Sequence, residues 1–97
     1  MKKKLILIDI RTENEWLLTG VIEGSYKISA FDFMGNLNPN FLKMYKKYVK
    51  ENDHVVFISN KGEVSSILAN GFIENLGMRN IYSLKGGIQE WIKKEIK

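Results

Sequence analysis

The order in which short apolar runs and amphipathic segments follow one another constrains this chain most. Leu5-Ile6-Leu7-Ile8 is a continuous apolar run of strand length, and His54-Val55-Val56-Phe57-Ile58 is a second and clearer one. Such runs suit strands covered on both faces, as in a parallel sheet. Ile81-Tyr82-Ser83-Leu84 and Tyr26-Lys27-Ile28 add two shorter candidates. Helical signals lie between them. Thr12-Glu13-Asn14-Glu15 has the form of a capping box opening a helix through about Leu18, with Gly20 ending it. Asn38 and Pro39 read as an N-cap and first helical residue, and Phe41, Tyr45, Tyr48 and Val49 then share one face. Val64, Ile67, Leu68, Gly71, Phe72 and Leu76 predict the inner face of a third helix. Gly77 sits at its left-handed C-terminal cap, and Ser65 and Ser66 are N-cap candidates. After the turn Lys85-Gly86-Gly87, Ile88, Trp91, Ile92 and Ile96 line a final helix. Strands alternating with helices predict an α/β domain, a small and mainly parallel sheet flanked by helices on both faces. At 97 residues the chain reads as one domain over 1–97.

Composition narrows the chemistry. There is no cysteine and one histidine, His54. Disulfides, thiolate chemistry and a histidine metal cluster are excluded, so no metal and no cofactor are expected. The net charge of +4 rests largely on Lys2, Lys3 and Lys4 and on Lys93, Lys94 and Lys97, with only two arginines. That is a solvated lysine-rich surface and not a nucleic-acid footprint. No apolar run approaches the roughly 20 residues of a membrane span. Lys2–Lys4 before Leu5–Ile8 lacks the length and cleavage site of a signal peptide, so a cytoplasmic protein is expected. The abundance of Lys, Asn and Ile fits an AT-rich bacterial genome.

In open parallel sheets ligands sit at the carboxyl ends of the strands. Two such ends stand out: Asp9-Ile10-Arg11, and the turn Ser59-Asn60-Lys61-Gly62-Glu63 running into Val64. A short loop entering a helix N-terminus aims N–H groups inward and makes an anion cradle. A plain strand–helix turn is the competing reading. Asp9 and Arg11 either line the mouth of the site or form a structural pair that fixes the first helix.

Four segments, in order, resemble a rhodanese domain. They are Asp9-Ile10-Arg11-Thr12-Glu13-Asn14-Glu15-Trp16, Gly20-Val21-Ile22-Glu23-Gly24-Ser25, Val56 through Ser65, and Leu76 through Trp91 with its Leu84-Lys85-Gly86-Gly87 core. The resemblance implies the rhodanese-like fold and an active-site loop of the form Cys-x-x-Gly-x-Arg-Ser that carries sulfur as a persulfide. Gly62 and Ser65 keep their places, but Ser59 stands where the cysteine belongs and Val64 where arginine is common. Val21 and Glu23 replace the usual histidine and proline, and the chain looks trimmed before its first strand.

A hydroxyl cannot form a persulfide, and an active serine needs an adjacent base. His54 lies roughly 16 Å back along the strand from Ser59. The expected function is therefore a rhodanese-like module without catalysis that binds a protein or a small anion in a regulatory role, with Ser59, Asn60, Lys61, Gly62, Glu63 and Val64 as the anion-binding loop. The alternative is a thiosulfate-type sulfurtransferase, active by homology or present as a Cys-to-Ser variant. The added changes at Val64 and Val21 favour natural divergence over an engineered change. A phosphatase-like relative fails on the same missing thiolate. Gly86-Gly87 reads as a tight turn and not a phosphate loop. Trp16 and Trp91 read as packing positions, as do Met34, Met44 and Met78. Phe31-Asp32-Phe33-Met34-Gly35 is the best candidate contact surface for another protein.

Overall fold

The computed structural model describes residues 4–32 and 34–95. Lys2, Lys3, Phe33, Ile96 and Lys97, each used in the sequence reading, lie outside them. In chain order the elements are β1 (Leu5–Asp9), α1 (Glu13–Thr19), β2 (Tyr26–Lys27), α2 (Phe41–Tyr48), β3 (His54–Ile58), α3 (Glu63–Leu76), β4 (Ile81–Ser83) and α4 (Gly87–Glu95). The four strands form one parallel sheet in the order β2-β1-β3-β4. Leu5 pairs with His54 and Asp9 with Ile58, so β1 and β3 end side by side.

Alternation along the strands sends side chains to two cores. Ile6, Ile8, Val55, Phe57 and Ile81 face α2 and α3 and pack with Phe41, Tyr45, Leu68, Ala69 and Phe72. Four aromatics anchor this side: the Phe57–Phe72 and Tyr45–Phe72 ring centroids are 5.3 and 5.2 Å apart, both in edge-on geometry. On the opposite face Ile58 packs with Ile22 and Ile88, flanked by Leu7, Leu84 and Ile92.

The local signals that matched are those with their own hydrogen bonds. The Thr12–Glu15 capping box is present, Gly20 closes α1, and Gly77 caps α3 at φ 63°. Four expectations need correction. The Asn38-Pro39 pair does not open α2. The Asn38 side chain accepts from the Asn40 N–H (3.0 Å) and donates to the Ser29 carbonyl (3.1 Å), holding a separate turn, and the helix begins at Phe41. The buried stripe of α3 is Ser65, Leu68, Ala69 and Phe72, while Val64, Ile67 and Leu76 are exposed. Ser65 is therefore inside the helix and not its cap, and the N-cap position is Gly62 at φ 95°. Of the methionines, Met44 and Met78 pack against the core, but Met34 is 72% exposed.

Candidate functional site

The chain runs from β1 out to β2 on one side and returns through β3 on the other, so the switch point lies between the ends of β1 and β3. A depression of about 610 Å³ opens there. It is lined by Ile10, Arg11, Thr12 and Glu15 after β1, by Ser59, Asn60 and Lys61 after β3, and by Glu63, Val64 and Ile67 of α3. Phe31, Asp32 and Gly35 form a further wall, and Gln89 completes it.

Ser59 is the first residue past β3 and is 4% exposed. Its Oγ accepts from the Gly62 N–H (3.1 Å) and the Ser65 N–H (3.2 Å) and donates to Ser65 Oγ (2.8 Å). In effect Ser59 supplies from across the loop the cap that Gly62 cannot give. Ser65 Oγ is also 2.6 Å from Ser83 Oγ, and both hydroxyls lie within reach of the Gly62 carbonyl, at 3.3 and 3.2 Å. This hydroxyl chain ends on a carbonyl, and among the described residues none of its members hydrogen-bonds a carboxylate or an imidazole. His54 sits at the start of β3, stacked on Tyr82.

The loop is held from below by the turn into α4. The Ile88 and Gln89 N–H groups donate to the Ser59 and Asn60 carbonyls at 2.9 and 3.1 Å. Gly87, at φ +63°, makes this approach feasible: a Cβ there would stand 2.4 Å from the Asn60 carbonyl oxygen and 2.5 Å from that of Ser59. Gly62 is less tightly hemmed, with a Cβ there 3.1 Å from the Gly86 nitrogen and the Leu84 carbonyl oxygen.

Asp9 and Arg11 form a buried pair. Asp9 is fully buried and does not line the depression, and Arg11 is 4% exposed at its edge. The guanidinium holds Asp9 through Nε and Nη2 (both 2.9 Å) and also reaches Thr19 Oγ1 (2.7 Å) and the Gly20 carbonyl (2.6 Å). The pair thereby ties the end of β1 to the end of α1. Asn60 adds a bridge, accepting from Arg11 Nη1 (3.4 Å) and donating to Glu15. Burial pushes the Glu15 carboxyl up, but hydrogen bonds from Thr12 and Asn60 and the Arg11 charge outweigh it, and its pKa is lowered.

Of the residues expected to form the site, Ser59, Asn60, Lys61, Glu63, Val64 and Arg11 line the depression; Gly62 and Asp9 shape it from behind. Sequence reasoning missed Glu15, Ser83, Gln89 and Ile67. Ile67 was assigned to the core. The sequence offers Phe31, Asp32 and Gly35 as a contact surface for another protein, and the structure places them in the lining of this depression. Among the described residues no group of three His, Cys, Asp or Glu side chains could hold a metal ion, and no helix is long and apolar enough to cross a membrane.

The family model of the rhodanese-like domain matches residues 1–94. The chain is 27% identical over 90 residues to the uncharacterized protein RP600 of Rickettsia prowazekii (strain Madrid E), covering 92% of this chain and 73% of that protein. It is 31% identical over 85 residues to the uncharacterized protein RC0915 of Rickettsia conorii, covering 86% and 68% respectively. Among solved structures, Rv0390 from M. tuberculosis superposes with a TM-score of 0.69 at 24% identity, over 87% of this chain and 66% of that one. RPA3614 from Rhodopseudomonas palustris CGA009, a protein of unknown function described as a possible tyrosine phosphatase, gives 0.67 at 21% identity, over 94% and 67%. At these identities the two structures speak for the fold alone. With the parallel sheet, the loop at its switch point and the glycine turn beneath it, the family match leads to one conclusion: this chain belongs to the rhodanese-like domain family.

Proposed function

We propose that this rhodanese-like domain does not transfer sulfur and serves as a binding module whose recognition surface is the depression at the ends of β1 and β3. The observation that carries the reading is the state of Ser59. Sulfur transfer in this family needs a thiolate, and the chain has no cysteine. At the cysteine's expected place stands a buried hydroxyl whose partners are two backbone N–H groups and another serine. Among the described residues no base hydrogen-bonds it to take its proton, so serine-based acyl or phosphoryl chemistry is unsupported as well.

The kind of ligand follows from the lining. The N–H groups of Lys61, Glu63 and Val64 have no acceptor among the described residues, which favours a small anion at the start of α3. Against it stand Glu15, Asp32 and Glu63, while Arg11 is already paired with Asp9. The balance favours a protein partner, and a cytoplasmic location accords with it. Incubation with thiosulfate and cyanide should yield no thiocyanate above the protein-free rate; measurable turnover refutes the reading. The second reading, a sulfurtransferase site lacking only its nucleophile, draws on the convergence of the Gly62 and Ser65 N–H groups on position 59. Under it, Ser59→Cys gains thiocyanate-forming activity and a thiol pKa below the ordinary value of about 8.5. Under the binding reading the variant stays inactive even where the thiol is acidic.

A further inference from the structure

The depression has a charge that the chain as a whole does not share. The protein carries a formal +4, yet the depression is lined by three carboxylates, Glu15, Asp32 and Glu63, against two cations, Arg11 and Lys61. Arg11 is neutralised by Asp9 at 2.9 Å, and Glu15 is tied to Thr12 and Asn60. That leaves Asp32 and Glu63 opposed by Lys61. Neither carboxylate has an ion-pair partner among the described residues.

The same walls are apolar. Ile10 and Phe31 face the opening together with Val64 and Ile67, which are 47% and 69% exposed. Neither belongs to the buried stripe of α3, which is Ser65, Leu68, Ala69 and Phe72. Beside Phe31, Asp32 Oδ1 accepts from the Met34 and Asn36 N–H groups, both at 2.9 Å. A volume of about 610 Å³ is room for one or two side chains with their backbone and falls in the usual range of binding clefts.

The geometry points to this depression as the docking site for an extended segment of another protein that carries a branched or aromatic apolar residue beside a lysine or arginine. The apolar side chain enters between Phe31 and the Val64–Ile67 edge of α3, and the cation reaches Glu63 or Asp32. This rests on the reading that the site binds a protein. An acidic or phosphorylated segment meets the same two carboxylates and is repelled, so the surface selects by sign as well as by shape.

Selection of a random heptapeptide library displayed on phage against the whole protein tests this directly. Enriched peptides should pair Lys or Arg with Leu, Ile, Phe or Trp. A synthetic copy of the best one should shift the amide signals of Gly35, Val64 and Ile67. Glu63→Lys and Ile67→Ser, both exposed and checked for an unchanged amide spectrum, should each weaken it at least about fivefold. Raising NaCl from about 0.05 to about 0.5 M should weaken it further. Enrichment of acidic or uncharged peptides, no enrichment at all, or equal binding by both variants overturns the proposal. Thiocyanate production by the unaltered protein would instead remove the non-catalytic reading while leaving the peptide result to stand on its own.

Discussion

Replacing Gly87 by alanine isolates the contact that ties the site loop to α4. Two costs add. The residue sits at φ +63°, in the left-handed region, where a side chain costs about 1–2 kcal/mol. The new Cβ would then stand 2.4 Å from the Asn60 carbonyl oxygen, which is backbone and cannot swing aside. Relief requires α4 to back away, and that stretches the Ile88-to-Ser59 and Gln89-to-Asn60 hydrogen bonds, now 2.9 and 3.1 Å. Each such bond is worth about 0.5–1.5 kcal/mol net. The sum is a loss of about 2–5 kcal/mol, a large part of a small domain's typical stability of about 5–15 kcal/mol. One control separates the terms. A Cβ on Gly24, at φ +87°, meets nothing within 4 Å, so Gly24→Ala reports backbone strain alone. A Cβ on Gly86, at φ +77°, would stand 2.3 Å from Glu90 Cγ and 2.7 Å from Glu90 Cβ, which side-chain rotation cannot move, so Gly86→Ala carries a clash of its own within the turn and is no control for the loop contact. Urea unfolding should show Gly87→Ala destabilised by at least about 1 kcal/mol beyond Gly24→Ala. Equal midpoints for the Gly87 and Gly24 variants would refute the claim that this glycine is required by the approach of α4 to the loop.

Other perturbations have equally definite outcomes. Arg11→Met leaves the buried Asp9 carboxylate without its cation and should cost about 3–5 kcal/mol by chemical denaturation; Asp9→Asn added to it should recover part of the loss. Glu15 has a lowered pKa in the folded chain, so its contribution is present above the ordinary value of 4.5 and fades as pH falls through the folded value. Glu15→Gln should flatten the acid limb of the stability profile, and an unchanged limb would count against the Thr12–Asn60 network. The Tyr45 hydroxyl is pushed up to about 12, by burial first and the Asp53 charge second. Its contribution is complete below about pH 10 and is lost as pH climbs from there towards 12, so Tyr45→Phe should unfold less readily in alkali than the unaltered chain.

Much of the fold was legible because its signals are local. The runs Leu5–Ile8 and His54–Ile58 announce strands, and the capping box at Thr12 and the glycine after Leu76 bracket helices through bonds a few residues long. Where the signal was not local, it failed. Helix α3 carries apolar residues around most of its circumference: Val64, Ile67, Leu68, Ala69, Phe72, Ile73 and Leu76. Periodicity cannot say which side of such a helix meets a sheet. The choice of Ser65, Leu68, Ala69 and Phe72 is made by the landing on Val55 and Phe57, and it leaves Val64 and Ile67 in the depression. The role of Ser65 was hidden for the same reason, since its N–H is capped by Ser59 from across the loop and its hydroxyl meets Ser83 of a strand 18 residues on.

By itself, then, the sequence determined the order and kind of the elements, the absence of a thiol, and the Gly86-Gly87 turn. These depend on residue type and short-range spacing. Only the tertiary structure decided that Asp9 and Arg11 are a buried brace, and that Phe31 and Asp32 close over the strand ends. It alone made a chain of net charge +4 present an acidic, apolar opening there. Asp9 and Arg11 are two residues apart, but their burial, like the other two facts, depends on residues distant in sequence. The parallel order β2-β1-β3-β4 brings them to one edge, and no local pattern encodes where that edge falls.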